Sequence, residues 1–238
     1  SMDLARITRL LCQTWSYDKF IRLGAYGSKA LIPIAQRLGP GELGEPLALR
    51  LAALSSAFAK YRIVTRLSGI PLTLYALGEA PSDDPVLRHC NTLLNWSNLV
   101  YYPLEHLAWL CDIGVLQRDS SALWLHSCRV WFFNIVVDLV ATVHSLRLVG
   151  RAIQQLALEV QRARATSKDT DVAEQQRRLR DLSAKRQALL LKAVNVLADL
   201  GLAFHWGFPS KSPFSETAIA WLGVLGTLAG GYMRWKET

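Results

Sequence analysis

Apolar residues recur along most of the chain at intervals of three and four, the spacing that lines up one face of a 3.6-period helix. Leu4, Ile7, Leu11 and Trp15 begin the pattern, and Phe20, Leu23, Ala30, Ile34 and Leu38 extend it. It predicts helix over Leu4–Leu38, with kinks or breaks at Gly24, Gly27 and Pro33. Gly39-Pro40-Gly41 is a stop, and Glu42–Glu45 reads as a loop. A second helix is predicted over Leu47–Leu67, where Leu47, Leu51, Leu54, Phe58 and Tyr61 fall on one narrow stripe. Asp84 followed by Pro85 marks a helix start, because aspartate caps well and proline suits the first turn. That helix is expected to reach Tyr101-Tyr102-Pro103, break, and resume to Cys111.

Leu123–Gly150 is mostly apolar, too long for a strand and without alternation, so it too reads as helix. Ser127, Asn134, Asp138, Thr142 and Ser145 gather on one side of it, while Arg129, Asp138 and His144 interrupt the apolar run. Ionisable groups at membrane depth usually face a bundle interior. Arg151–Gln187 is polar and Arg-rich and suits either a solvated helix or a mobile loop. Leu189–Phe208 returns to helix, with Asn195 and Asp199 one turn apart, and Phe208-Pro209-Ser210 ends it. Ser212 with Pro213 is the expected cap of the last helix. Within it, Thr217–Met233 carries no charge. At 1.5 Å per residue this run covers roughly 25 Å, close to the ~30 Å hydrocarbon core. Residues 213–234 are therefore read as a membrane span, with Trp235 between Arg234 and Lys236 as an interfacial anchor. A buried helix of a soluble protein is the alternative.

No strand pattern and no repeat emerges. The fold class is all-α, a membrane-associated helical bundle with amphipathic helices and one or two transmembrane helices. Four regions follow: an N-terminal amphipathic region (1–122), an apolar helix and possible span (123–150), a charged linker or solvated helix (151–187), and C-terminal apolar helices (188–238).

Composition narrows the function. The 238 residues are 51% hydrophobic and 19% charged, which excludes a disordered chain. The net charge of +8 suits nucleic acid or an anionic membrane face. No zinc-finger or RNA-binding signature accompanies it, and eight tryptophans favour the membrane. Cys12, Cys90, Cys111 and Cys128 have no framework spacing and read as free thiols. Ser1–Arg9 lacks the unbroken apolar core of a secretory leader. Glu105-His106 and His205-Trp206 lie outside any metal-ligand spacing, and no phosphate loop or nucleophile motif occurs. The chain is expected to be non-enzymatic, without cofactor or metal.

Three constellations remain. In Leu47–Leu67 every charge is basic: Arg50, Lys60, Arg62 and Arg66. Such a helix can insert its stripe among headgroups while its cations meet anionic lipid; an ordinary core-facing helix with solvated cations shares the pattern. Gly226 and Gly230 form a G-x-x-x-G with Gly223 one turn before, a surface for close helix packing within the chain or between copies. Asn134, Asp138 and Asp199 are intramembrane polar residues that either line a solute path or turn inward onto partners.

Tyr17-Asp18-Lys19-Phe20-Ile21-Arg22-Leu23-Gly24-Ala25-Tyr26 resembles the Arg-Asp-Lys…Arg…Tyr signature near the start of the peroxin-11 family, with Tyr17 in place of the usual Arg. Ser55 and Arg62-Ile63-Val64-Thr65-Arg66-Leu67 are similar to the family's second helix with its paired arginines. The stretch from Tyr101 to Trp109, Asp119-Ser120-Ser121, Trp124, Asn195, Leu197-Ala198-Asp199 and His205-Trp206 resembles the gamma branch. The resemblance covers nearly the whole chain except Arg151–Gln187. It implies a peroxisomal membrane protein, with termini in the cytosol, that remodels and elongates the organelle during proliferation and division. It also implies an anionic-lipid-binding helix, carried over to Leu47–Leu67. The implied partners are the chain itself, its paralogues, and a fission machinery of a dynamin-like GTPase with a tail-anchored adaptor. A channel-like metabolite transporter is the alternative. If Leu123–Gly150 and Thr217–Met233 both cross, the Arg-rich linker lies in the matrix, against the positive-inside tendency.

Overall fold

The structure, a computed structural model, describes residues 14–39, 44–79, 82–165 and 169–237. Leu4, Ile7, Leu11, Cys12, Pro40 and Gly41 lie outside the described residues, as do the side chains of Trp15, Arg234 and Lys236. The described residues are helical and contain no strand. The helices are α1 (Thr14–Gln36), α2 (Gly44–Thr65), α3 (Gly69–Leu77), α4 (Pro85–Asp112), α5 (Ser121–Ala165), α6 (Asp169–Gly207) and α7 (Glu216–Glu237).

α1 runs through Gly24, Gly27 and Pro33 without a break, since Pro33 stands near its end, where little helix remains to disrupt. Gly39 then turns the chain at φ +98°, a conformation open to glycine. α2 starts at Gly44, inside the stretch expected to be loop, where a side chain would collide with the carbonyls of Gly39 and Ala35. α3 follows a short 3-10 turn and has no counterpart among the predicted elements. Asp84 caps α4 as expected, accepting from the Leu87 N–H at 2.9 Å. The predicted break at Tyr101–Pro103 is absent. Pro103 is exposed, and the buried side chains around it (Tyr101, Tyr102, Glu105, His106) hold the helix together.

Residues 151–165 and 169–187 prolong α5 and α6, so the polar region is helical outside 166–168. α5 and α6 form a long antiparallel hairpin. Ser215, rather than Ser212, caps α7, accepting from the Ala218 N–H; Pro213 precedes the helix. Ser212 instead accepts from the Phe214 N–H.

α1 pairs with α2, α4 with α5, α5 with α6, and α7 with both α6 and α1. α2 meets α4 and so closes a ring of helices around a central cleft. The core is split between interfaces. Cys90, Val137 and Ala141 join α4 to α5, while Ile135, Val196 and Ala203 join α5 to α6. Phe132, Phe204 and Phe208 stack at the foot of the α5–α6 pair. Cys90 and Cys111 are buried free thiols and Cys128 is half-buried.

Two helical segments, Ser121–Arg162 and Ala173–Gly207, are long and apolar enough to cross a membrane. Only 22% and 28% of their most apolar stretches are buried inside the protein, the rest being half-buried or exposed. The expected span over 213–234 is not among these two; its uncharged run, Thr217–Met233, is 17 residues long.

Candidate functional site

α2 presents two apolar faces. Its inner face meets α1: Ala48 is buried, the Ser55 hydroxyl donates to the Ala25 carbonyl at 2.8 Å, and Phe58 lies over Gly24. A methyl on Gly24 would come within 2.6 Å of that ring, so the two helices approach as closely as glycine permits. The stripe read from the sequence straddles the boundary. Leu51 and Phe58 turn toward protein, while Leu54 and Tyr61 are exposed. Tyr61 meets Tyr17 edge-on, with ring centroids 6.3 Å apart. Beside Leu54 and Tyr61, the outer face adds Leu49 (67% exposed) and Val64. α3, next in the chain, also exposes apolar side chains: Leu72, Leu74 and Tyr75 (71% exposed). A helix apolar on both sides suits a boundary between protein and lipid.

The four cations divide as well. Arg50 and Lys60 are exposed on the outer face, with no carboxylate partner among the described residues. Arg62 and Arg66 point into the molecule. Arg62 grips Asp18 with two hydrogen bonds, of 2.9 and 3.2 Å. Arg66 donates to the Tyr101 hydroxyl at 2.8 Å and pairs with Glu105 at 3.0 Å. Tyr101 donates in turn to Glu105 at 2.7 Å. Of the four cations expected at lipid, Arg62 and Arg66 turn inward and tie α2 to α1 and α4, while Arg50 and Lys60 stay on the surface.

The charge network continues into α1 and α6. Arg22, 6% exposed, pairs with Asp199, which also accepts from Asn195 at 3.1 Å. Lys19 reaches the Asn195 side-chain oxygen at 3.4 Å. Burial would raise the Asp18 carboxyl, but the Arg62 guanidinium holds it below its usual range. Burial, reinforced by Arg22, pushes the Lys19 ammonium down to about 8 against the pull of Asp199 and Asp18. Burial also drives the Tyr101 phenol well above its ordinary value.

Asp138, Asn134, His205 and His106 each have a partner, whereas the buried Thr142 hydroxyl has none. Asp138 pairs with Lys192 at 2.8 Å. Asn134 donates toward the Leu94 carbonyl, the Ser97 hydroxyl and the Asn98 side-chain oxygen. His205 meets Ser212 and Glu216, and His106 meets the Tyr102 carbonyl. Gly223, Gly226 and Gly230 all lie at intramolecular contacts. Gly223 faces the Tyr26 ring, Gly226 the Ala198 methyl, and Gly230 the Asn195 and Lys19 side chains. Among the described residues, no group of three or more His, Cys, Asp or Glu could hold a metal.

Sequence reasoning missed α3, although Ile70–Leu77 is apolar and free of charge, a signal that could have found it. It missed the inward pairing of Arg62 and Arg66 because their partners lie on other helices.

The family model described as Peroxisomal biogenesis factor 11 (PEX11) matches residues 4–235. The chain is 28% identical to human peroxisomal membrane protein 11C over 216 residues, covering 89% of this chain and 85% of that protein. It is 26% identical to the mouse protein of the same name at the same coverage. A peroxisomal membrane protein 11 homologue of Dictyostelium discoideum is 20% identical over 98% of this chain and 95% of its own length. No solved structure matches.

Proposed function

This chain belongs to the peroxisomal biogenesis factor 11 family, and from that premise we propose that it is a non-enzymatic protein of the peroxisomal membrane. In this reading it remodels and elongates the bilayer during proliferation and division. The observation that carries the proposal is the outer face of α2 and α3. Leu49, Leu54 and Val64 are exposed on α2 with Arg50 and Lys60, and Leu72 and Tyr75 are exposed on α3. No acidic residue occurs between Glu45 and Glu79. The apolar side chains enter one leaflet, each contributing about 1.5–3 kcal/mol when fully buried, and the two cations hold anionic headgroups. A wedge in one leaflet widens that leaflet and bends the bilayer.

The resemblance supports the chain itself, its paralogues, and a dynamin-like GTPase with its tail-anchored adaptor as partners, with both termini cytosolic. The transport alternative draws on Asn134, Asp138 and Asp199. Each is engaged inside the chain, so remodelling is the reading we favour.

The test is electron microscopy of anionic and neutral vesicles mixed with the purified full chain. Tubules are expected on anionic vesicles, fewer with Leu54→Ser and Leu72→Ser together. Equal tubulation by that variant would remove α2 and α3 from the mechanism.

A further inference from the structure

α5 and α6 carry a group of cations that the remodelling reading does not use. The Arg129 side chain donates to the Gly207 carbonyl at 3.2 Å, and Asp138 pairs with Lys192 at 2.8 Å, which fixes the antiparallel register of the two helices. Further along, Ala152 and Lys185 line one groove between them. Arg147 and Arg151 of α5 therefore stand near the level of Lys185 and Arg186 of α6. All four are exposed, without a carboxylate partner among the described residues.

The basic excess of the polar region gathers at this level. Between Asp138 and Glu159 on α5, and between Asp181 and Asp199 on α6, every charge is basic. Beyond it, residues 152–184 carry six Lys and Arg against five Asp and Glu, nearly balanced. An anionic partner arriving from solution would meet that balanced end first. Helix length puts the four cations at the edge of the apolar run. Arg129 and Arg147 are 18 residues apart, and that much helix covers about 27 Å, close to the ~30 Å hydrocarbon core. On α6, Arg186 and Gly207 are 21 residues apart, about 32 Å of helix. The segments between expose Phe133, Val140 and Val143 on α5 and Val194 and Leu197 on α6. Gly230 lies beside Asn195, so α7 runs toward the same level and there exposes Tyr232, a residue type suited to the membrane–water interface.

We propose that Arg147, Arg151, Lys185 and Arg186 form a collar that binds the anionic phospholipid headgroups of the leaflet through which the hairpin leaves the bilayer. The inference rests on the membrane reading above, with the apolar halves of α5 and α6 crossing. Headgroup phosphate oxygens accept from the guanidiniums and the ammonium, and the long side chains reach them from the helix surface. A shift of the hairpin by one turn into the bilayer would carry cations into hydrocarbon, so the collar also sets its depth. It is separate from Arg50 and Lys60, which stand on α2.

The full chain is reconstituted in phosphatidylcholine vesicles, in an Arg50→Ala, Lys60→Ala background that takes α2 out of the measurement. Spin-labelled phosphatidylserine and spin-labelled phosphatidylcholine report the lipid held at the protein surface. At low salt the chain should hold phosphatidylserine about fivefold more strongly, the factor for one cation near an anionic headgroup. Salt at about 1 M should remove the difference. Inorganic phosphate at matched ionic strength should not compete, and competition would overturn the choice of a headgroup over a free anion. Arg147→Gln, Arg151→Gln, Lys185→Gln and Arg186→Gln together should cut the preference by about half or more, with the melting curve unchanged because all four are exposed. An undiminished preference would overturn the proposal. Should that variant unfold, depth provides the second test. A fluorophore on Val143→Cys should be quenched by brominated acyl chains, and one on Gln154→Cys, exposed just beyond Arg151, should not. Quenching at both would sink the cations into hydrocarbon and overturn the collar alone. Quenching at neither would take the hairpin out of the bilayer and overturn the membrane reading with it.

Discussion

Arg62 and Arg66 share a helix with Arg50 and Lys60 but do different work. Removing the Arg62 side chain leaves the Asp18 carboxylate half-buried without its counter-ion. Arg62→Ala should lower unfolding stability by about 3 kcal/mol, measured by denaturant titration in detergent. Arg50→Ala with Lys60→Ala should leave stability unchanged and flatten the salt dependence of vesicle binding. Two titrations follow from the same network. Asp18 has its carboxyl lowered in the folded protein, so its contribution is present above the ordinary carboxylate range and is lost as pH falls through the lower native value. Lys19 titrates near 8 when folded, against an ordinary 10.5. Between those values the unfolded chain binds more protons, so stability rises with pH over that window and is level below 8, where both states carry the proton. Lys19→Met should abolish that rise, whose upper bound is about 3 kcal/mol. A melting temperature equally pH-dependent in wild type and variant would assign the rise to another group.

At the level of elements, the three glycines of α7 set how closely it approaches α1 and α6. Gly223→Leu would force the Tyr26 ring aside, and Gly226→Leu would press on Ala198. Both should lower the melting temperature while the crosslinked oligomer ladder stays as in wild type, because the glycines face the chain's own helices. A changed ladder with unchanged melting would return them to an intermolecular role. The α2 stripe separates in the same way. Phe58→Ser should destabilise the fold by about 3 kcal/mol or more through its lost packing on α1, whereas Leu54→Ser should weaken lipid binding with little change in melting. Much of the helical framework was legible from period and caps: Asp84 opens α4, Gly39 closes α1, and Phe208-Pro209 follow the end of α6. The inner face of α2 was less legible for a physical reason. A helix with protein on one side and lipid on the other is apolar all round, so its composition alone cannot say which side is which. Pairing was hidden too. Asp18 and Arg62 are 44 residues apart, and only the fold brings them together. Nor did Pro103 end α4 as its sequence position suggested, because tertiary burial of its neighbours outweighs the missing hydrogen bond.

For the whole molecule, the lengths of α5 and α6 matter most. Their 45 and 39 residues extend about 68 and 59 Å, roughly twice the hydrocarbon thickness. The apolar half of the hairpin can cross a bilayer while the Arg-rich half, residues 151–187, stands beyond it. Crossing by α5 and α6 alone keeps both termini on one face, whereas a third crossing by α7 would separate them. Epitope tags at the two ends, probed with protease on intact peroxisomes, should both be cleaved, and protection of one end only would add α7 to the spans. The central claim, that the exposed face of α2 and α3 bends the membrane, is tested most directly by peroxisome length in cells expressing the full chain. The wild type should elongate the organelles. A Leu49→Ser, Leu54→Ser, Tyr75→Ser variant with wild-type melting and normal peroxisomal targeting should leave them round. Full elongation by that folded, correctly targeted variant would contradict the account.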